Sequence, residues 1–327
     1  AAVLGAVGLL TCCWRRGEVM RSGQRPTLKS RAELGTLEFV GVLAWAFSVG
    51  VSISMHAKAF VHLNRHSEQP VPHAITLALT QGLAVCLVLL PILRWVPATG
   101  QPPMWSWFAG AYQMLSFALV IAGAVFGYAV ALTANLVGSL LAALGIDLLR
   151  GAELGLSRPC GVLLIVLSTA LLFPGAAYVS GDSRLFEWIC LLLAPVQGAC
   201  FALQARCNSE LREFLGSPLC ASLVCNLGLI LCWLPLWLVA GVPLETAPGD
   251  AWYWAFCVAQ NIFTISSLAV LPDLLSYVSV FTACVTGQLS AAVSLDLLGA
   301  ASPPSLGQCC VRGGGLLLAF SGAAMCQ

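Results

Sequence analysis

The chain alternates long apolar stretches with short polar ones, and each apolar stretch is near the length of a membrane-crossing helix. An α-helix needs about 20 predominantly apolar residues to cross the hydrocarbon core of a bilayer. Ten such stretches predict ten transmembrane helices, called spans 1 to 10: 38–60, 73–95, 106–125, 127–149, 158–177, 184–206, 218–240, 251–271, 276–298 and 305–326. Their apolar residues run continuously rather than alternating with polar ones, which favours helices over a transmembrane β-barrel.

Composition supports the same class of protein. Of the 327 residues, 59% are hydrophobic and only 9% are charged, whereas a soluble domain carries roughly 25% charged residues. The sequence therefore predicts an all-α membrane protein that crosses the lipid bilayer many times. A net charge of +1 gives no indication of a nucleic-acid partner. Most of the 15 cysteines lie inside apolar stretches, where they are expected to pack as small hydrophobic residues.

Three regions follow from the pattern of spans and charges. Residues 1–37 form a basic N-terminal tail or the remnant of a targeting sequence, and both interpretations stay open. Residues 38–177 and 178–327 each hold five spans. If the N-terminus is cytoplasmic, eleven of the 15 Lys and Arg residues lie inside and four outside. The excess of basic residues on the cytoplasmic side places both termini there.

A sequence interval recurs in the two halves. Residues 138–147 read GSLLAALGID and residues 287–296 read GQLSAAVSLD, so each begins with Gly and ends with Asp at an offset of 149. In spans 3 and 8, Gln113 and Gln260 each follow a Trp by six positions. Because each half has an odd number of spans, the second half must enter the membrane upside down relative to the first. This is the inverted-repeat arrangement of many transporters, whose substrate sites lie near the bilayer midplane.

The second half also resembles a known family. The run GACFALQARCNSELREFLGSPLCASLVCNLG (198–228) is similar to the repeat of YdcZ-type transporters, a branch of the drug/metabolite transporter superfamily related to EamA-type carriers. Gln204, Asn208 and Gly228 carry the resemblance. The first half matches more weakly, with Lys58 and His62 in place of Gln204 and Asn208. The resemblance implies ten transmembrane helices in two inverted five-helix repeats and export of a small solute. Members with one repeat pair as dimers, so a homodimer also stays open here.

Polar residues inside or at the ends of the spans are the candidate functional residues, because an amide or charge in hydrocarbon must find a partner or face a cavity. Those expected to bind substrate are Gln113, Gln260, Asn261, Gln288, Asn135, Gln204 and Lys58. The alternatives are structural hydrogen bonding for the amides and snorkelling for the lysine. The acids expected to couple transport to protons or to gate it are Glu38, Glu187, Asp147 and Asp296. Solvation at a helix end is the alternative for each acid.

No pattern of residues indicates catalysis or a cofactor. His62 and His66 are spaced to share one helical face, but no third metal ligand lies nearby in the sequence. Nucleophile-elbow, metalloprotease and P-loop motifs do not occur in the chain. We therefore expect neither an enzyme nor a metal or cofactor site.

The predicted function is export of a small organic solute by alternating access, in which two repeats rock about a central polar cavity. A nucleotide-sugar or sugar-phosphate exchanger of the same superfamily is one alternative, and it would need several Lys or Arg residues at the cavity. A membrane scaffold or an intramembrane enzyme is the alternative from another class of protein.

Overall fold

The protein is helical wherever its structure is described. The computed structural model describes residues 35–64, 67–93, 101–116, 128–152, 155–172, 184–245, 247, 249–299 and 306–327, and over these residues it forms helices without strands. The prediction of an all-α fold is confirmed. The helices are α1 (Thr36–Asn64), α2 (Pro70–Leu89), α3 (109–116, entered through a 3₁₀ turn at Met104–Phe108), α4 (Tyr128–Leu149), α5 (Ser157–Leu172), α6 (Arg184–Leu215), α7 (Pro218–Ala240), α8 (Ala251–Leu274), α9 (Tyr277–Gly299) and α10 (Leu306–Met325).

Five helices among the described residues are long and apolar enough to cross a membrane. These are α1, α7 and α8, together with residues Pro72–Leu89 of α2 and Tyr277–Leu295 of α9. Large apolar side chains also remain on the outer surface of the bundle, including Leu231 on α7 at 72% exposed and Leu87 on α2 at 71% exposed. A bilayer would cover such side chains. Five membrane spans are thus supported by length and composition, and the full number of ten stays a prediction.

The helix ends gather at two ends of the bundle. At one of them, Asp147 at the end of α4 contacts Tyr277 at the start of α9, and Cys326, just after α10, donates its thiol to the backbone oxygen of Arg158 in α5; we call this the Asp147 end. At the other, the start of α2 contacts the end of α1 through His73 and Asn64; we call this the His73 end. The expected orientation puts the Asp147 end in the cytoplasm.

The two halves pack on each other through two equivalent helix crossings. In the second crossing, each helix is replaced by its counterpart from the other half. Helix α4 of the first half packs closely on α6 of the second, and α9 of the second half packs closely on α1 of the first. A Cβ on Gly138 would overlap the backbone of Pro195, and a Cβ on Gly287 would overlap the backbone of Phe47. These are the glycines that open the repeated interval of the sequence.

The partner helix of each crossing, α6 in one and α1 in the other, also contributes a glycine at the contact. A Cβ on Gly198 of α6 would overlap the backbone of Asn135, and a Cβ on Gly50 of α1 would overlap the backbone of Cys284. Gly50 and Gly198 are 148 positions apart, and Asn135 and Cys284 are 149 apart. Contacts that recur with the partners exchanged are those of two equivalent units related by an approximate two-fold axis. Small residues allow the backbones to approach this closely at each crossing.

The apolar core joins the halves rather than filling each one separately. Its largest cluster includes Trp45 of α1, Leu140 of α4, and Tyr277 and Phe281 of α9. Trp45 also donates its indole N–H to the Ser267 hydroxyl of α8 at 2.9 Å, so this buried aromatic side chain is both packed and hydrogen-bonded. Buried side chains of both halves therefore pack together in one apolar core.

Candidate functional site: a buried cluster of amides

A group of uncharged polar side chains meets around α7, in the half of the bundle toward the Asp147 end. Its centre is Cys225, whose thiol donates to Oε1 of Gln113 on α3 at 3.1 Å. The same sulfur accepts from Nε2 of Gln204 at 3.5 Å and from Nδ2 of Asn208 at 3.8 Å. Residues 204 and 208 are one helical turn apart on α6, so both amides reach the sulfur from one face. All four side chains are buried.

The next residue of α7 extends this group to α8. Asn226 donates Nδ2 to Oδ1 of Asn261 on α8 at 3.2 Å and to the backbone oxygen of Ser222 at 2.8 Å. The carbonyl oxygens of Asn208 and Asn226 are buried without a hydrogen-bond partner. A buried oxygen left in this state carries a desolvation cost of about 1–3 kcal/mol. We call Gln113, Gln204, Asn208, Cys225, Asn226 and Asn261 the amide cluster, and it can offer further acceptors to a polar ligand.

The first half brings a different set of polar groups together toward the His73 end. Gln81 of α2 donates its amide nitrogen to the backbone oxygen of Cys257 on α8 at 2.9 Å and to Nε2 of His56 on α1 at 3.1 Å. The tautomer of His56 that fits this contact accepts at Nε2 and carries its proton on Nδ1. The two halves thus keep the same arrangement of helices while placing different polar residues on them.

Asp147 caps a helix of the other half. Its carboxylate accepts from the backbone N–H of Tyr277 at 3.0 Å and from that of Val278 at 2.9 Å, and the residue is 4% exposed. The first amides of a helix have no partner within the helix, and they attract negative charge. The Arg150 guanidinium lies 5.4 Å from the centroid of the Tyr277 ring. The first acid of the repeated interval therefore ties α4 to α9.

Ionisable pairs hold both ends of α8, each to a different half. At the His73 end, Nε2 of His62 on α1 lies 3.5 Å from Oδ1 of Asp250, and its ring stacks on Tyr253 with centroids 4.1 Å apart. At the Asp147 end, Arg212 of α6 forms an ion pair with Asp273, which also accepts from a neighbouring serine hydroxyl. Helices α1 and α6 are equivalent in the repeat. Helix α8 is therefore fastened to two equivalent helices at its opposite ends.

The remaining predicted residues lie outside these contacts or outside the described side chains. Gln260 donates to the Thr264 hydroxyl at 2.7 Å within α8. Gln288 and Asn135 each have a buried side-chain oxygen without a partner. Lys58 and Glu38 are exposed near the two ends of α1. The side chains of Glu187 and Asp296 lie outside the described residues. The functional roles assigned to all these residues stay predictions.

Sequence reasoning missed the centre of the amide cluster. Cys225 lies in an apolar stretch and was expected to pack as a small hydrophobic residue, but its thiol bridges three amides. The sequence feature that could have indicated this role is its position next to Asn226, a polar residue within an apolar span. In the described part of the chain, no three His, Cys, Asp or Glu side chains converge as a metal site would need. His73 there accepts from the Glu245 N–H at 3.1 Å and contacts Asn64.

The fold and the two related halves place this chain in a class of proteins: helical integral membrane proteins built from a repeat. A protein of known crystal structure shares the fold, with a TM-score of 0.59 and 15% sequence identity over 85% of this chain and 94% of that one. No curated protein matches the chain.

The particular family is clear from the sequence match, which covers both halves. Residues 41–171 and 189–325 match the family described as "Putative inner membrane exporter, YdcZ". The chain belongs to this family, and the resemblance to the YdcZ branch of the drug/metabolite transporters is confirmed. The family is one of transporters, so the coarse function follows from membership.

Proposed function

We propose that the chain exports a small, polar, uncharged or zwitterionic organic solute by alternating access. In this proposal ten helices cross the membrane, both termini are cytoplasmic, and the two five-helix repeats are inverted relative to each other. The observation that carries the proposal is the amide cluster. Its two hydrogen-bonded groups, around Cys225 and around Asn226, place buried polar side chains from four helices of both halves at neighbouring positions of α7, with the oxygens of Asn208 and Asn226 still able to accept.

The chemistry of the amide cluster favours an uncharged substrate. Its members are five amides and one thiol, which can donate to and accept from hydroxyl, amide or carboxamide groups. Arg206 lies between Gln204 and Asn208 in sequence, but its guanidinium lies 4.8 Å from the centroid of the Trp105 ring. A phosphate in a low-dielectric site needs cationic partners. The nucleotide-sugar or sugar-phosphate exchanger is therefore the weaker alternative.

In the proposed mechanism α8 itself rocks between α1 and α6, to which ionisable pairs fasten its two ends. Only the pair of His62 and Asp250 joins the two halves, so α8 moves against α6 of its own half as well as against the first half. One state keeps the pair of His62 and Asp250 at the His73 end, and the other keeps the pair of Arg212 and Asp273 at the Asp147 end. Breaking one pair frees one end of α8 to move away from its neighbour while the other end stays fixed. In this mechanism the amide cluster, which includes Asn261 of α8, opens to alternate sides of the membrane. Glu38 and Glu187 remain the proposed proton-coupling acids.

Flux measurements in proteoliposomes test the proposal. The purified chain is reconstituted, and efflux of a panel of uncharged, zwitterionic and phosphorylated metabolites is measured with and without a pH gradient. We expect flux of an uncharged or zwitterionic solute that Asn226→Ala abolishes. The matched control is Leu227→Ala, the next residue of α7, whose side chain is 44% exposed on the outside of the bundle.

Four results would contradict parts of the proposal. Flux confined to phosphorylated solutes would favour the exchanger. Equal flux in Asn226→Ala and Leu227→Ala would remove the amide cluster from the transport path. No flux across the panel from a protein that stays folded and monodisperse would favour a scaffold. Unchanged pH-driven flux in Glu38→Gln and Glu187→Gln would remove those acids from proton coupling.

A further inference from the structure

A cavity of about 310 Å³ opens at the Asp147 end, and no residue of the amide cluster lines it. Its walls come from α1, the turn between α4 and α5, the junction of α8 and α9, and the end of the chain after α10. Two of its lining residues are arginines, Arg150 and Arg158, and part of its wall is apolar, including Phe39 and Leu275. A cavity with both cationic and apolar walls is suited to an amphiphile.

The turn after α4 fixes the position of Arg150. The N–H of Gly151 bonds to the oxygen of Leu148 at 2.9 Å, and the N–H of Ala152 bonds to that of Asp147 at 3.0 Å. Gly151 has a φ of +78°, so these bonds form the Schellman ending of a helix, in which glycine supplies the left-handed residue. Arg150 is the last residue before that glycine. Its guanidinium is held against the face of Tyr277, at the rim of the cavity.

The charges of the described residues that line the cavity do not cancel. Among the described lining residues, the acid is Asp147, and both of its oxygens accept from the first amides of α9. That helix end already balances its charge. Three other acids lie nearby in sequence. Glu38 precedes Phe39 and is exposed, Asp273 is paired with Arg212, and Glu153 lies outside the described residues. Among the described lining residues, the guanidinium groups of Arg150 and Arg158 therefore outnumber the one carboxylate, which α9 already engages.

We propose that this cavity binds a phosphate group, carried by the headgroup of an anionic phospholipid. Guanidinium groups recognise phosphate through charge-assisted hydrogen bonds. The expected orientation places the cavity at the cytoplasmic surface, where basic pockets between helices meet lipid headgroups. The headgroup lies between the two arginines, and the lipid chains lie along the apolar wall toward Phe39. The bound lipid joins the α4–α5 turn to the junction of α8 and α9, and so bridges the two halves.

Native mass spectrometry of the full chain in mixed micelles tests this site. The ratio of retained phosphatidylglycerol to retained phosphatidylcholine is measured, with added inorganic phosphate as a competitor in a parallel arm. Because each basic residue near an anionic lipid surface contributes about 1 kcal/mol, we expect Arg150→Gln and Arg158→Gln each to lower the ratio about fivefold. Arg150→Lys keeps the charge and should retain most of the preference. The matched control is Arg312→Gln, an arginine of α10 that is not among the residues lining the cavity.

The outcomes separate the sources of the phosphate from a failure of the site. Loss of lipid preference in both glutamine variants but not in Arg312→Gln supports the lipid site. Displacement of phosphatidylglycerol by inorganic phosphate, with the same dependence on the two arginines, supports the phosphate site and assigns it to a soluble anion. An equal ratio in the wild type, Arg150→Gln and Arg158→Gln overturns the proposal. Lipid retention is measured without solute flux, so this result is independent of the transport proposal.

Discussion

The glycine crossings give a direct test of the two-fold packing. In Gly138→Ala, the added methyl group would overlap the backbone of Pro195, and neither backbone can rotate away as a side chain could. Helices α4 and α6 must then separate along their contact. The equivalent change in the second half is Gly287→Ala, which forces α9 away from α1 at Phe47. Two substitutions in different halves should therefore have the same effect.

Gly145 supplies a control for both substitutions. Gly145 lies on α4 two turns from Gly138, and a Cβ there would meet nothing within 4 Å. Replacing such a helical glycine by alanine stabilises a protein by about 0.5–1 kcal/mol. Overpacking a close contact costs about 1–3 kcal/mol. The gain from replacing glycine applies to all three variants, so we expect Gly138→Ala and Gly287→Ala to be less stable than Gly145→Ala by the overpacking cost, about 1–3 kcal/mol.

The measurement is the free energy of unfolding in mixed micelles, titrated with a denaturing detergent and followed by tryptophan fluorescence. Similar losses for Gly138→Ala and Gly287→Ala, with a gain for Gly145→Ala, fit the exchanged contacts. If Gly138→Ala matched Gly145→Ala, the close approach of α4 to α6 would be wrong. If only one of the two crossings were sensitive, the halves would not be equivalent there.

Two further predictions concern charged residues. Asp147→Asn should lower the free energy of unfolding by about 1.5–3 kcal/mol, because one of two charge-assisted hydrogen bonds to α9 is lost; unchanged stability with abolished flux would instead assign Asp147 to coupling or gating. Arg212→Asp and Asp273→Arg should each destabilise by about 1 kcal/mol, and the double variant should recover most of that loss. Additive losses in that cycle, measured by unfolding, would show that the pair does not hold α8.

The sequence was sufficient for the all-α fold and the repeat, because both follow from local apolar patterns and fixed spacing. The interval from Gly138 to Asp147 even marks a real packing element, since its glycine forms the crossing and its acid caps α9. The partners could not be read in the same way. Nothing local to Asp147 points to Tyr277, 130 positions away. Nor does an apolar stretch show that the Cys225 thiol will meet Gln113. Such contacts depend on how distant helices cross.

The crossing of Gly50 with Cys284 has a consequence for synthesis of the chain. These residues are 234 positions apart, so α1 meets its partner α9 only after most of the protein has been made. At 5–20 residues per second, the delay is roughly 10–50 s. During that time the groove of α1 beside Gly50 faces lipid or an insertion factor. A chain that ends before α9 leaves this groove of α1 uncovered. We therefore expect a stop codon before α9 to make the truncated protein a substrate for membrane quality control and to shorten its lifetime in the cell.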